Sequence, residues 1–234
     1  MKVLKFGGTS VKNATNIKKV ISIIAEASSL DNVAVVVSAL GGTTDALISA
    51  GELATKKDEQ YLDVYETIRQ RHYETAKSLI DESSVQKVFE QIEERLATLK
   101  SLLQGIYLIN EFSNKTRDKI LSYGELLSSY IISEALKCHE RNAVLKDSRD
   151  LIITDDNFTQ AQVNSELTYQ NITAYFNNND YKIVLLPGFV SKNKNGETTT
   201  LGRGGSDYTA AILASALEAS VLEIWTDVSG MFTA

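Results

Sequence analysis

The sequence predicts an α/β protein in which helices cover a mostly parallel sheet. Near the N-terminus, two units each run from a strand through a glycine pair into a helix: Lys2–Phe6 with Gly7-Gly8, and Val33–Val37 with Gly41-Gly42. Val33–Val37 is a continuous apolar run of mostly β-branched residues, which is typical of a strand buried on both faces. Units of this kind in succession indicate parallel strands joined by crossover helices.

The spacing of apolar residues predicts the other elements in order. Residues 17–24 predict a helix, and three- and four-residue steps between 56 and 110 predict two long amphipathic helices. This pattern leaves open whether the two helices cover the sheet or pack against a partner. Asn195-Gly196 predicts a hairpin turn within 192–197. Further helices are predicted at 116–136, at 164–178 and after Asp207, and further strands at 143–146, 151–153, 183–186 and 221–225.

Composition and charge narrow the class of protein. Of the 234 residues, 43% are hydrophobic, which is enough for one substantial core in one domain with two lobes or in two small domains. The net charge of −6 argues against a nucleic-acid-binding surface. The single cysteine, Cys138, excludes an internal disulfide, fits a reducing compartment and is expected to be a small apolar filler on a helix. With no signal peptide and no membrane-spanning apolar stretch, we expect a cytoplasmic protein without membrane partners.

The 198–213 stretch, TTTLGRGGSDYTAAIL, predicts a strand, a glycine loop and a helix start capped by Ser206 or Asp207. Glycine N–H groups beside a helix N-terminus suit an oxygen-rich ligand, and the planar Arg203 guanidinium suits a carboxylate or phosphate. The alternative is an ordinary tight turn, but the charges of Arg203 and Asp207 beside the glycines favour a ligand site. Asp207 stands where G-x-G-x-x-G requires its third glycine, which argues against a dinucleotide-binding turn.

Glu125 is a second candidate for a functional residue. In the 116–136 helix it falls on the same side as an apolar stripe that includes Leu121 and Ile132. A carboxylate in such a position is costly to bury unless a cation meets it. Glu125 therefore either lies in solvent at the edge of the stripe or binds a cationic group. Gly124 leaves space beside it, which favours the functional interpretation.

The loops that follow the strands are expected to converge, because ligands of open parallel sheets bind beyond the carboxyl ends of the strands. His72 and His139 are expected at the surface, and the converging groups include no nucleophilic cysteine and no metal-ligand cluster. Such a site is poor for acyl transfer or redox chemistry and suits phosphates and a small zwitterion. Besides glycine N–H donors, the converging residues would be Lys5, Ser38, Thr43 or Thr44, Glu125, Arg203 and Asp207, with Thr226 and Asp227 after the last strand.

Five sequence blocks occur in one order across essentially the whole chain: KFGGTSV at 5–11, SALGGTT at 38–44, SYGEL at 122–126, TTTLGRGGSDY at 198–208 and WTDV at 225–228. Together they resemble the aspartokinases of the amino-acid kinase superfamily. The resemblance implies a three-layer αβα sandwich with a mostly parallel sheet. It implies one amino-acid kinase domain over 1–234 with a helical insertion at about 57–112. It also implies transfer of the γ-phosphoryl group of ATP to the β-carboxylate of L-aspartate, the first step of lysine, threonine and methionine biosynthesis.

The resemblance implies roles for the matching residues. The catalytic residues would be Lys5 and Asp207, with Gly7 and Gly8 helping Lys5 to hold the transferring phosphoryl group. Substrate contacts would come from two residues at the reacting end, Ser38 and Thr44, and from a group around the amino and α-carboxylate ends, Glu125, Arg203, Gly204 and Ser206. The nucleotide site would include Thr226, Asp227 and Phe232. Mg²⁺ is inferred because ATP sites use it, and its ligands cannot be named from the sequence.

This assignment agrees with elementary chemistry. An aspartate carboxylate, with a pKa of about 3.9, is ionised at neutral pH and needs no general base, which explains the missing histidine. The main barrier is then the approach of an anion to a polyanion, so cations and N–H donors must surround the transferring group.

The chain departs from the aspartokinase pattern near its end. Aspartokinases usually continue past the Thr226-Asp227 strand with an Asp-Pro-Arg segment and a later lysine-containing loop near ATP. Neither is present, and Phe232 stands where a tyrosine is common. We therefore expect an incomplete nucleotide-binding end, weak or absent kinase activity for this chain, and a homo-oligomer for the intact protein.

Three alternative functions stay open at this point. The first is another amino-acid or carboxylate kinase of the same superfamily, and the second is a non-catalytic amino-acid or nucleotide sensor. A Rossmann-type dehydrogenase lobe is disfavoured, because no fingerprint glycine pattern follows any strand.

Overall fold

Two β-sheets form the framework of the computed structural model, which describes residues 1–139 and 142–226. The strands of the central sheet are all parallel and lie in the order β3 (Ala143–Leu145), β5 (Ile183–Pro187), β2 (Val33–Val37), β1 (Lys2–Phe6) and β8 (Val221–Trp225). The smaller sheet consists of β4 (Ile153–Thr154), β6 (Val190–Asn193) and β7 (Thr198–Thr200). In it, β4 pairs with β6 in parallel, and β6 and β7 form an antiparallel hairpin around Gly196, as the Asn195-Gly196 turn predicts.

Helices cover both faces of the central sheet. In chain order they are α1 (Ala14–Leu30), α2 (Thr43–Thr55), α3 (Tyr61–Leu79), α4 (Glu82–Ile109), α5 (Asn114–Lys137), α6 (Ser165–Asn177) and α7 (Gly205–Ala216). Across residues 1–139 and 142–226, no helix combines the length and the apolar character that a membrane span requires.

The alternation of side chains along β2 divides the core in two. Val33, Val35 and Val37 pack with the apolar faces of α1 to α5, whereas Ala34 and Val36 pack with those of α6 and α7. Successive residues of a strand point to opposite faces of a sheet, so one all-apolar strand can serve both cores. The predicted three-layer αβα sandwich with a mostly parallel sheet is confirmed.

The two long helices predicted between residues 56 and 110 are α3 and α4. Val88, Ile92, Leu96 and Leu99 of α4 are buried in the same core as the apolar face of α5. These apolar faces are buried within the chain itself.

Three expectations from the sequence are wrong. The strand expected at 151–153 is shifted, because a 3-10 turn at Ser148–Asp150 precedes it and the strand is Ile153–Thr154. His72 is fully buried, with Nδ1 2.7 Å from the carbonyl oxygen of Ile68, and burial lowers its pKa to about 4. Cys138 is exposed at the end of α5 instead of filling the core.

Candidate active site

A cavity of about 690 Å³ lies where the loops after β1 and β2 of the parallel sheet meet the loop after β7 of the smaller sheet. The segment after β1 contributes Lys5 and Gly8, and the β2–α2 loop contributes residues 38–42. Residues 202–204 and the first turn of α7 form another wall, and α5 contributes Glu125. The structure thus brings the loops after β1, β2 and β7, together with Glu125, around one space.

Lys5 is a cationic side chain that lines the cavity. It lies on β1, is only 7% exposed, and its Nζ is 2.7 Å from Oδ1 of Asp207. Gly7 leaves room for this ammonium group, because a Cβ atom at that position would be 3.3 Å from Nζ. Lys5 is therefore held between β1 and the first turn of α7, with little freedom to leave the cavity.

The start of α7 differs from the sequence expectation. The helix begins at Gly205 after Gly204 (φ 75°), and no side chain caps it within the described residues. Ser206 and Asp207 lie inside its first turn, so the expectation that one of them is the capping residue is wrong. The physical reason is that a glycine in the left-handed conformation occupies the cap position. Uncapped N–H groups at a helix N-terminus attract anions.

A second uncapped helix N-terminus faces the same region. α2 begins at Thr43 after Gly42 (φ 84°), again without a capping side chain in the described part of the chain. Thr43 is buried, whereas Thr44 and Ser38 line the cavity, which decides between Thr43 and Thr44 as the cavity residue. The Ser38 carbonyl oxygen accepts a hydrogen bond of 2.7 Å from Ser128 of α5, which fixes this loop to the helix.

Glu125 is a buried carboxyl group, 4% exposed, and does not lie in solvent at the edge of the stripe. Its Oε1 accepts a hydrogen bond of 3.2 Å from the Ala39 N–H, and Oε2 is buried without a partner among the described residues. Burial raises the pKa of Glu125 to about 8. Gly124 allows α5 to approach this closely, since a Cβ there would lie 2.9 Å from Cβ of Ala39. The cavity thus presents a carboxyl group for which the described part of the chain provides no cationic partner.

Arg203 brings a positive charge to the same cavity. It is exposed in the glycine loop and lines the cavity. Within residues 1–139 and 142–226, no ion pair includes its guanidinium group. Gly204 and Ser206, predicted beside it, line the same cavity. Ser206 packs against Gly188, where any Cβ atom would lie 2.6 Å from the Ser206 side chain.

Only some of the residues predicted to bind the nucleotide lie in the described part of the chain. The Gly7 N–H donates a hydrogen bond of 3.2 Å to the Trp225 carbonyl oxygen, which joins the first glycine loop to the end of β8. Thr226 borders a separate cavity of about 180 Å³ together with Ser10 and Trp225. Asp227 and Phe232 lie outside the described residues.

Further residues line the main cavity and were missed from the sequence, among them Asp45, Arg117, Thr159 and Phe189. A signal for Arg117 existed, because it lies one and two four-residue steps before Leu121 and Glu125 on the same face of α5. Thr159 (φ 75°) and Phe189 (φ 67°) adopt left-handed backbone conformations in loops, which are rare for such side chains and give no sequence signal.

The fold and the cavity define a class of protein. The chain matches the Amino acid kinase family over residues 1–234 and belongs to that family. Within it, the chain is similar to aspartokinases. It is 35% identical, over 100% of its length, to a bifunctional aspartokinase/homoserine dehydrogenase of Buchnera aphidicola. It is 34% identical, over 99% of its length, to the chloroplastic aspartokinase 1 of Arabidopsis thaliana.

A solved structure shows the same similarity. Aspartokinase III of E. coli, crystallised in complex with aspartate and ADP in the R-state, superposes with a TM-score of 0.87 at 31% identity over 98% of this chain. The chain spans 50% of that crystallised chain. It spans 29% of the Buchnera relative and 41% of the Arabidopsis relative.

Proposed function

We propose that this chain contains the acceptor site of a kinase that transfers the γ-phosphoryl group of ATP to the β-carboxylate of L-aspartate, giving 4-phospho-L-aspartate. One observation supports this most strongly. Among the described residues, a buried carboxyl group with no cationic partner (Glu125) and a guanidinium group with no ion-pair partner (Arg203) line the same cavity as Lys5. An α-amino acid supplies both missing charges, and the similar E. coli enzyme was crystallised with aspartate and ADP.

Recognition of the substrate divides between two sides of the cavity. Arg203 binds the α-carboxylate through its planar fork of N–H donors, with Gly204 and Ser206 beside it. Glu125 accepts a hydrogen bond from the α-ammonium group on Oε2, the oxygen that has no partner among the described residues. Ser38 and Thr44 contact the β-carboxylate near the N-terminus of α2. Loss of the bidentate contact between Arg203 and the α-carboxylate should cost about 1.5–3 kcal/mol of binding free energy.

The chemical step requires no proton transfer. An oxygen of the β-carboxylate attacks the γ-phosphorus, a new P–O bond forms, and the bond between the γ-phosphorus and the β,γ-bridging oxygen breaks. The electron pair leaves with ADP. Lys5, the N–H groups of Gly7 and Gly8, and the N-termini of α2 and α7 reduce the repulsion between the two anions. Asp207 supports catalysis by holding the Lys5 ammonium group in place.

The second substrate is ATP with Mg²⁺. The described residues contain no group of three or more histidine, cysteine or acidic side chains that could hold a metal ion. We assign Mg²⁺ to the nucleotide phosphates, because hydrated Mg²⁺ commonly binds there. Thr226, Asp227 and Phe232 are proposed to line the nucleotide. We further propose that the protein acts as a homo-oligomer in the cytoplasm.

A coupled assay of ADP release by the full-length product of the gene tests this proposal. We expect ADP release and hydroxylamine-trappable acyl phosphate with L-aspartate, and neither with L-glutamate, N-acetyl-L-glutamate or UMP. Turnover of one of those three instead would support another kinase of the superfamily. Binding of L-aspartate without any turnover would support a non-catalytic sensor.

A further inference from the structure

Asp118 is a buried acidic residue that the proposed chemistry does not use. It lies near the N-terminus of α5 and is 0% exposed. Its Oδ2 accepts hydrogen bonds of 2.9 Å from the N–H groups of both Thr159 and Thr200. Its Oδ1 accepts a third, of 2.7 Å, from the Thr200 hydroxyl group. Burial raises the pKa of Asp118, although these three bonds favour the ionised form.

The three hydrogen bonds join two walls of the cavity. Thr200 ends β7 and precedes Arg203 by three residues, and both Thr159 and Thr200 line the cavity. Thr159 also packs against this loop, since a Cβ on Gly202 would lie 3.1 Å from its carbonyl oxygen. Asp118 therefore connects α5 directly to the strand and loop that present Arg203.

The same helix carries Glu125. Glu125 follows Asp118 by seven residues, or two helical turns of about 10 Å in all. Asp118 thus connects the element that bears the proposed ammonium site to the element that bears the proposed α-carboxylate site. An exposed ion pair between Lys115 and Glu197 joins α5 to the end of the same hairpin, but exposed ion pairs contribute little.

We propose that Asp118 is a positioning residue for amino-acid recognition, which fixes the spacing between Glu125 and Arg203 so that one α-amino acid satisfies both. This inference rests on the proposed function. Asp118 acts through Arg203 and does not touch the substrate.

Substitutions of Asp118 separate its acceptor role from its charge. In Asp118→Asn, one amide oxygen can accept both backbone N–H bonds, and the Thr200 hydroxyl group can turn to accept from the amide. The loop should then stay in place. Asp118→Ala leaves both buried N–H groups without a partner, so the loop must move to satisfy them. Asp118→Ser provides one short acceptor and should be intermediate.

The test is calorimetric titration of the full-length product of the gene with L-aspartate and, separately, with a non-hydrolysable ATP analogue plus Mg²⁺. We expect Asp118→Ala to weaken L-aspartate binding on the order of tenfold or more, because small displacements of binding groups are costly. Asp118→Asn should bind as the wild type does, and all variants should retain the affinity of the wild type for the ATP analogue. Lys115→Ala, which breaks the exposed contact between the same elements, is the matched control and should leave both affinities unchanged.

Equal L-aspartate affinity in Asp118→Ala and wild type would overturn the positioning role, as would an Asp118→Asn variant as weak as Asp118→Ala. If Asp118→Ala does not fold, the comparison of Asp118→Ser with Asp118→Asn decides in the same way. A wild-type chain that does not bind L-aspartate would instead remove the proposed function, and this inference with it.

Discussion

At the scale of single residues, the cavity is defined by charges that the protein only partly compensates. Lys5 has Asp207 as its partner, whereas Glu125 has a single backbone N–H and Arg203 has no ion-pair partner in the described part of the chain. Burying a carboxyl group without a cation costs free energy, so such a group is a good candidate for ligand binding.

In the full-length product of the gene, Lys5→Ala should abolish turnover with little loss of fold. The ammonium group is the side chain proposed to neutralise the transferring phosphoryl group, and its loss should lower kcat by at least about a hundredfold. Initial rates of ADP release, together with circular dichroism, measure the two effects. Lys2→Ala at the other end of β1 is the control and should keep normal activity. Near-normal acyl phosphate formation by purified Lys5→Ala would remove Lys5 from the mechanism.

Binding of L-aspartate should strengthen as the pH rises from 6 to 8. The pKa of Glu125 is raised to about 8 by burial, so the group is protonated at pH 6, and only its ionised form attracts an ammonium group. Affinity should therefore rise by up to about tenfold per pH unit and level off above pH 8. Calorimetry at several pH values measures this, and Glu125→Gln should flatten the profile. A wild-type profile without slope in this range would show that Glu125 does not receive the ammonium group.

A third prediction concerns the buried His72. Its folded pKa of about 4 lies below the ordinary value of 6.5, so the neutral form is favoured in the fold. The stability it contributes is fully present above pH 6.5 and is lost as the pH falls to 4, by about 3 kcal/mol in total. Urea unfolding at several pH values measures the effect. His72→Leu should remove this part of the acid destabilisation, and equal pH slopes for both proteins would refute the prediction.

At the scale of secondary-structure elements, α5 organises the site. Its residues are buried along most of its length, and it bears Glu125, Asp118 and the Ser128 hydroxyl group that holds the β2–α2 loop. Close approach to that loop depends on Gly124, because any side chain there would collide with Ala39.

Gly124→Val should push α5 away from the β2–α2 loop. The Ala39–Glu125 hydrogen bond would lengthen, and overpacking should destabilise the fold by about 1–3 kcal/mol. Gly105→Ala on α4 is the matched control. A Cβ at Gly105 meets nothing within 4 Å, so this change should be neutral or stabilising by up to about 1 kcal/mol. Thermal unfolding compares the two, and a Gly124→Val protein as stable as the wild type would contradict the close packing.

Periodicity predicted the helices and strands well because their apolar faces pack against one core. The same periodicity indicates that His72 is buried, because His72 follows the buried residues Tyr61, Tyr65 and Ile68 of α3 at helical spacing. The prediction misplaced the strand Ile153–Thr154 because a 3-10 turn precedes it. Such a turn depends on local hydrogen bonds, such as the one that the Arg149 N–H donates to Oδ1 of Asp147.

At the scale of the whole molecule, the two sheets together determine where the site lies. The loops after β1 and β2 of the parallel sheet meet the loop after β7 of the smaller sheet at one cavity, and this convergence was predicted from the glycine loops in the sequence. The presence of Phe189 and Thr159 did not follow, because their positions depend on left-handed loop conformations. The prediction that a side chain caps the N-terminus of α7 was also wrong, since Gly204 occupies the cap position.

The most direct test of the proposed function is a calorimetric titration of this chain with L-aspartate in the presence of Mg²⁺ and a non-hydrolysable ATP analogue. We predict one L-aspartate per chain, loss of binding in Arg203→Ala, and L-glutamate weaker by about tenfold or more because it is one methylene longer. No binding of L-aspartate, or equal binding of the two amino acids, would contradict the assignment of this cavity to aspartate.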